Sequence, residues 1–171
     1  MTVNRTTSQV TAALTNTGQV GVSFAVYPYE HLTFGPTPVT VPPSAAGSYV
    51  WDATLTGGKY SFSVYGPDGF LTSFAGKVVP AGQNAGPVPV VTAALRPTAK
   101  TLELTLANEG QEKIVYTLAP NDYEGRTQTV AVTLGSSKTI SWPTDQYGYY
   151  DMVITANTGD GFRRRYAGRI A

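Results

Sequence analysis

Hydrophobic and polar residues alternate along most of this chain with a period of two. Val22, Phe24 and Val26 alternate with Ser23, Ala25 and Tyr27, and Tyr60, Phe62 and Val64 with Ser61, Ser63 and Tyr65. Leu102, Leu104 and Leu106 repeat the pattern, as do Val130, Val132 and Leu134, and Tyr150, Met152 and Ile154. Successive side chains of a strand point to opposite faces, so each run predicts a strand with one buried and one wet face. Ser61, Ser63 and Asp151 are expected to face out. Turn signals separate the runs: Asn16-Thr17-Gly18, Thr56-Gly57-Gly58, Gly66-Pro67-Asp68-Gly69, Asn108-Glu109-Gly110 and Asp160-Gly161. No segment reads as an amphipathic helix. One buried face per strand is what a sandwich of antiparallel sheets requires.

The pattern is written twice. Asn16-Thr17-Gly18-Gln19 recurs as Asn108-Glu109-Gly110-Gln111, an offset of 92. At the same offset Pro28 recurs as Pro120, Asp68-Gly69-Phe70 as Asp160-Gly161-Phe162, and Phe74-Ala75-Gly76-Lys77 as Tyr166-Ala167-Gly168-Arg169. Trp51 matches Trp142, Gly58 matches Gly148 and Tyr60 matches Tyr150 with small slips. Two homologous units are predicted, residues 1–86 and 87–171, parted by the stretch Pro80-Ala81-Gly82-Gln83-Asn84-Ala85-Gly86. With six or seven strands each, they read as two tandem immunoglobulin-like β-sandwiches in an all-β chain.

Composition narrows the chemistry. Zero cysteine in 171 residues excludes disulfide scaffolds, thiolate zinc sites and cysteine nucleophiles. A net charge of +1 argues against electrostatic binding to nucleic acid. Only 13% of residues are charged, so hydroxyls, amides and glycine must supply much of the polar surface. Charge is also uneven. Up to Gly86 the only basic residues are Arg5, Lys59 and Lys77, and nine of the 12 lie beyond. Met1–Gln9 is polar and lacks the apolar core of a signal peptide, which leaves a cytosolic protein or an excised piece of a larger one.

Candidate catalytic residues are few. His31 is the only histidine, lies between strands and has no nucleophile elbow nearby, so a loop histidine without a role is expected. No HExxH, P-loop or GxGxxG motif occurs, and the acids are spread singly, so neither a metal site nor a cofactor is expected. Asp145 and Asp151 form one pair of carboxylates among many that eleven acids allow. Two clusters remain. Tyr147 and Tyr149 are additions to the repeat and suit an exposed aromatic platform for a sugar or a lipid interface, or the padding of a sheet edge. Arg163, Arg165 and Arg169 share one face of a strand, while Arg164 sides with Phe162 and Tyr166. Three guanidinium groups on one face suit a phosphate or carboxylate partner, or a solvated face paired with local acids.

The segment Tyr65-Gly66-Pro67-Asp68-Gly69-Phe70-Leu71-Thr72-Ser73-Phe74-Ala75-Gly76 resembles the "YGPNGFLRxFxG" signature in the C-terminal repeats of bacterial phosphocholine-preferring phospholipases C. Gly148-Tyr149-Tyr150-Asp151, followed by Phe162-Arg163-Arg164-Arg165-Tyr166-Ala167-Gly168, is similar to the second repeat's "GWYD…FLRRFAG". Leu104-Thr105-Leu106-Ala107-Asn108-Glu109-Gly110 is similar to the "LTLxNxG" opening. Departures are Asp68 for Asn, Thr72 for Arg, Tyr149 for Trp, and Phe162-Arg163 for Phe-Leu. The resemblance implies structural roles for Gly66, Asp68, Gly69, Phe70, Phe74 and Gly76, and for Asp160, Gly161, Phe162, Tyr166 and Gly168. It implies a secreted parent whose α/β catalytic domain cleaves phosphatidylcholine or sphingomyelin. That domain is absent from this chain, so no catalytic residue carries over. The implied role is non-catalytic: support of the catalytic domain, or its presentation to membrane lipid. The alternative is a free-standing carbohydrate-binding or adhesive module.

Overall fold

The alternating runs form strands, and no α-helix interrupts them among the described residues. The computed structural model describes residues 1–29, 35–83 and 86–170. His31 lies outside the described residues. The chain divides into two units, Met1–Ala81 and Gly82–Ala171. The only helical turn described is a 3-10 turn at Ala53–Thr56, capped by the Asp52 side chain and closed by Gly57.

In the first unit β1 (Thr2–Asn4), β2 (Gln9–Asn16) and β5 (Ala45–Asp52) form one antiparallel sheet in the order β1-β2-β5. The other sheet holds β7 (Leu71–Lys77), β6 (Lys59–Tyr65), β3 (Val22–Pro28) and β4 (Thr37–Val41), in that order. The second unit repeats the plan. β8 (Pro89–Arg96), β9 (Thr101–Asn108) and β12 (Ser137–Pro143) form its first sheet. β14 (Arg163–Arg169), β13 (Tyr149–Ala156), β10 (Ile114–Asp122) and β11 (Gln128–Val132) form its second. Both units are therefore seven-stranded immunoglobulin-like sandwiches. In each, the fourth strand pairs with the third and not with the fifth, where a constant-type immunoglobulin domain places it.

The inward residues are those the alternation selects. In the first unit Trp51 stacks on Phe62 with ring centroids 5.7 Å apart and 17° between planes, and Phe62 meets Phe74 at 5.4 Å. In the second unit Leu102, Leu104, Leu106, Trp142, Met152 and Ile154 join one buried cluster. Leu134 departs from the expectation. β11 ends at Val132, and Leu134 stands exposed in the turn that follows, because Thr133 and Ser136 close that turn on each other.

The repeated asparagines do more than mark turns. Asn16 is buried, and its amide nitrogen donates to the carbonyls of Val20 (2.8 Å), Val41 (3.2 Å) and Pro42 (3.0 Å). Asn108 does the same toward Glu112 (2.7 Å) and Val132 (3.3 Å). Each oxygen accepts the amide of the glycine two residues on. One side chain thus ties the second strand of its unit to the end of the fourth and leaves no buried amide unpaired.

Tyr150 and Tyr116 are buried phenols of the second core. Burial pushes Tyr150 up to about 12, and it pushes Tyr116 higher still against the lowering effect of the Val90 amide, which donates to its oxygen. An unfolded Tyr150 ionises near pH 10 and the folded one near pH 12. Between those values the unfolded chain releases a proton that the folded chain keeps. The stability due to the neutral phenol is intact below pH 10 and is lost as pH rises to 12, roughly 2–3 kcal/mol in all. We expect absorbance titration to show these two phenols ionising only as the unit unfolds. Ionisation of all eleven tyrosines near pH 10 in a folded chain would contradict this burial.

Candidate functional site

The pleat of β14 sends Arg163, Arg165 and Arg169 to the outer face of the sheet, opposite Thr155, Val153 and Tyr149 of β13. Arg164 points the other way and is buried, with its guanidinium 4.1 Å from the centre of the Phe162 ring and a bond to the Arg163 carbonyl. The outward arginines have different surroundings. Arg165 grips Asp151 with two parallel bonds, Nε to Oδ1 at 2.8 Å and Nη2 to Oδ2 at 2.6 Å. Asn121 donates a third bond to the same carboxylate at 2.9 Å. Asp151 faces outward in the register yet is buried, because Arg165 and Asn121 close over it. Ser63 departs from the expectation of exposure in the same way. Its hydroxyl meets that of Ser73 at 2.6 Å, and Tyr27 stands opposite it across the strand pair.

Arg169 donates from Nε to the carbonyl of Tyr147 at 3.1 Å, and its guanidinium sits 5.3 Å from the centre of the Tyr149 ring. On Tyr149 stacks Tyr123, at 5.5 Å and 21°. The turn carrying these tyrosines is organised by Asp145, whose Oδ1 accepts the amides of Tyr147 (2.9 Å) and Tyr149 (2.8 Å). The structure therefore brings Tyr149 and Arg169 together and adds Tyr123, which lies 26 residues before Tyr149 and was not singled out by the sequence pattern. Tyr147 stands 65% exposed at the rim, and Arg163 is exposed at the strand start. The two carboxylates weighed as an acid–base pair both have structural partners, Asp145 in the turn and Asp151 on Arg165. Among the described residues no group of three or more metal-ligating side chains gathers.

A second aromatic cluster lies on the outer face of the first unit. Tyr27 and Tyr65 meet edge to face at 5.3 Å and 81°, and the hydroxyls of Tyr29 and Tyr65 are 3.3 Å apart. The pattern contained its signal, since tyrosines occupy outward positions on strands that turn out to be neighbours. Only the pairing of β3 with β6 reveals that they meet.

The motif residues hold turns and core. Pro67-Asp68-Gly69-Phe70 is a two-residue hairpin turn in which Asp68 (φ 54°) and Gly69 (φ 75°) are both left-handed and Phe70 N donates to Pro67 O at 3.0 Å. Asp160 acts differently. Its carboxylate accepts the Phe162 amide at 3.1 Å and the Thr158 hydroxyl, and Gly161 takes the positive φ. Gly66 makes room for the Phe24–Phe70 pair, and Gly168 for the hydroxyl of Tyr150. Gly76 has a φ of 151°. Phe74 and Phe162 are buried, and Tyr166 packs against the second core.

Both repeats match the model of the family described as bacterial phospholipase C, C-terminal domain, over residues 2–77 and 88–169. The chain belongs to this family. It is 30% identical over 160 residues to a non-hemolytic phospholipase C of Pseudomonas aeruginosa, covering 91% of this chain and 23% of that protein. A non-hemolytic phospholipase C of Burkholderia pseudomallei is 28% identical, covering 98% of this chain and 24% of that protein. A hemolytic phospholipase C of Pseudomonas aeruginosa is 33% identical over 117 residues, covering 66% of this chain and 16% of that protein. The chain thus spans no more than about a quarter of the curated relatives it matches, and their catalytic domain is not matched here.

Proposed function

We propose that this chain is a non-catalytic accessory region of a secreted bacterial phospholipase C, and that it presents the catalytic domain of the parent to membrane lipid. The observation that carries this reading is the family match, C-terminal in its description and confined to a small share of each relative's length. The chemistry of the candidate site supports it. Asp151, Arg165 and Arg169 are engaged in holding the outer face of their own sheet, and the large aromatic side chains left in contact with solvent beside them are the phenols Tyr123 and Tyr147. Phenols carry an apolar ring and a polar tip, which suits the boundary between water and lipid.

The test is deletion of this region from the full-length enzyme. Turnover of a soluble phosphocholine ester is expected to stay within about twofold, while turnover on lipid vesicles falls tenfold or more, because surface attachment raises the effective concentration of substrate. Equal loss on both substrates would make the region a brace for the catalytic domain and overturn the presentation role. Hydrolysis of the soluble ester by the isolated chain would overturn the non-catalytic reading.

A further inference from the structure

We infer that the outer face of β3 and β6 in the first unit is the surface that meets lipid, with Tyr27, Tyr29 and Tyr65 entering the headgroup layer of a zwitterionic bilayer. The inference rests on the presentation role proposed above and assigns it to a site.

The three side chains are 40%, 42% and 41% exposed, and Tyr27 and Tyr65 are mounted on paired strands. Around them the outward positions are Ser23 and Ala25 on β3, Ser61 and Ser63 on β6, and Ser73 on β7. None of these is charged. Among the described residues of these three strands, the charges on this face are Lys59 and Lys77, paired at the far end from Tyr65. A shallow cavity of about 580 Å³ continues the surface from Tyr65 past Ala25 to Val20, which is 76% exposed. Around the tyrosines the face carries no charge and loses no ionic hydration when it enters an interface, and the phenol, Ser23 and Ser61 hydroxyls can donate to the oxygens of headgroups there. It matches a surface whose own charges balance, and the two lysines that would draw it to an anionic one stand at the far end from Tyr65.

The second unit shows that the fold does not demand these residues. It has the same strand order, and its register is equivalent: Thr117 pairs with Thr155 as Ala25 pairs with Tyr65. At the positions of Tyr27, Tyr29 and Tyr65 it carries Ala119, Asn121 and Thr155. Its outer face is instead charged and internally paired through Asp151, Arg165 and Arg169. A sandwich of this kind thus folds with small residues at these sites, so core packing does not account for three exposed tyrosines in one unit.

The second unit also supplies the test. Tyr27→Ala with Tyr29→Asn installs its residues in the first and leaves Tyr65 in place. The 171-residue chain is expected to sediment with phosphatidylcholine vesicles, and the double variant to partition about tenfold less while keeping its β-sheet circular dichroism and a cooperative melt. Raising salt from 0.15 to 1 M shortens screening from about 8 to about 3 Å and is expected to leave wild-type binding nearly unchanged. Equal partitioning of variant and wild type would overturn the tyrosine surface, while vesicle-specific loss on deleting the whole region from the full-length enzyme would leave the presentation role standing. Binding to anionic vesicles alone, abolished by salt, would overturn the inference. So would retention on a neutral polysaccharide that the double variant loses, with no vesicle binding, since the face would then be a sugar platform.

Discussion

Replacing Gly148 by alanine is expected to destabilise the second unit by about 3 kcal/mol or more, the sum of a left-handed backbone and a steric overlap. Gly148 has a φ of 88°, and a methyl group on it would overlap the carbonyl oxygen of Ile170. The backbone has no easy way to relax, because Gly148 O accepts the Ile170 amide at 2.9 Å and Gly148 N donates to Asp145 O at 3.0 Å. The first unit has the same approach in a looser form. Gly58 also has a φ of 88° and accepts the Val78 amide at 2.8 Å, but a methyl group there would stand 3.3 Å from the Val78 carbonyl oxygen. Gly58→Ala should therefore cost only the backbone strain, about 1–3 kcal/mol. Urea unfolding in a Trp51→Phe background, where Trp142 is the sole tryptophan, reads the second unit directly. A shift below about 1 kcal/mol for Gly148→Ala would mean that the turn yields, and the steric argument would fall.

Phe62→Ala should cost the first unit roughly 3–5 kcal/mol, the range for emptying a packed aromatic site. Phe62 is 1% exposed and touches three rings at once: Trp51 at 5.7 Å, Phe74 at 5.4 Å and Tyr49 at 5.3 Å. Its removal leaves a cavity between the two sheets, where three rings lose their common neighbour. Met152 holds the matching place in the second unit, so Phe62→Met should cost less, about 1 kcal/mol, by keeping most of the volume. The midpoint of urea unfolding, followed by Trp51 fluorescence in a Trp142→Phe background, gives both values. A loss under 1 kcal/mol for the alanine variant would be incompatible with a stacked, buried ring.

The candidate site was legible in part. Tyr147 and Tyr149 stood out because they are additions to a repeat, and the arginines because three share one face. That Arg169 sits over Tyr149, and that Tyr123 stacks on it, follows from β10, β13 and β14 lying side by side and from a bulge between Pro120 and Asp122. Tyr27 and Tyr65 were read simply as outward positions of two strands. Their contact depends on a register that joins residues about 40 apart in sequence.

What the sequence determined by itself is local or repeated. Side-chain alternation is a property of the pleat, so it told inward from outward for Phe62, Leu104 and Met152 without knowledge of any partner strand. The repeat required one strand order to serve twice. The Asp68-Gly69 pair specified its hairpin, because few other residues accept two successive left-handed conformations. The tertiary structure decided what crosses between strands. Outward-facing Asp151 and Ser63 are buried because neighbours on adjacent strands cover them, and Arg165 is an ion-pair partner because Asp151 lies within its reach. Exposure, pairing and charge on a sheet face depend on distances between residues remote in sequence, and those distances exist only once the strands have found their register.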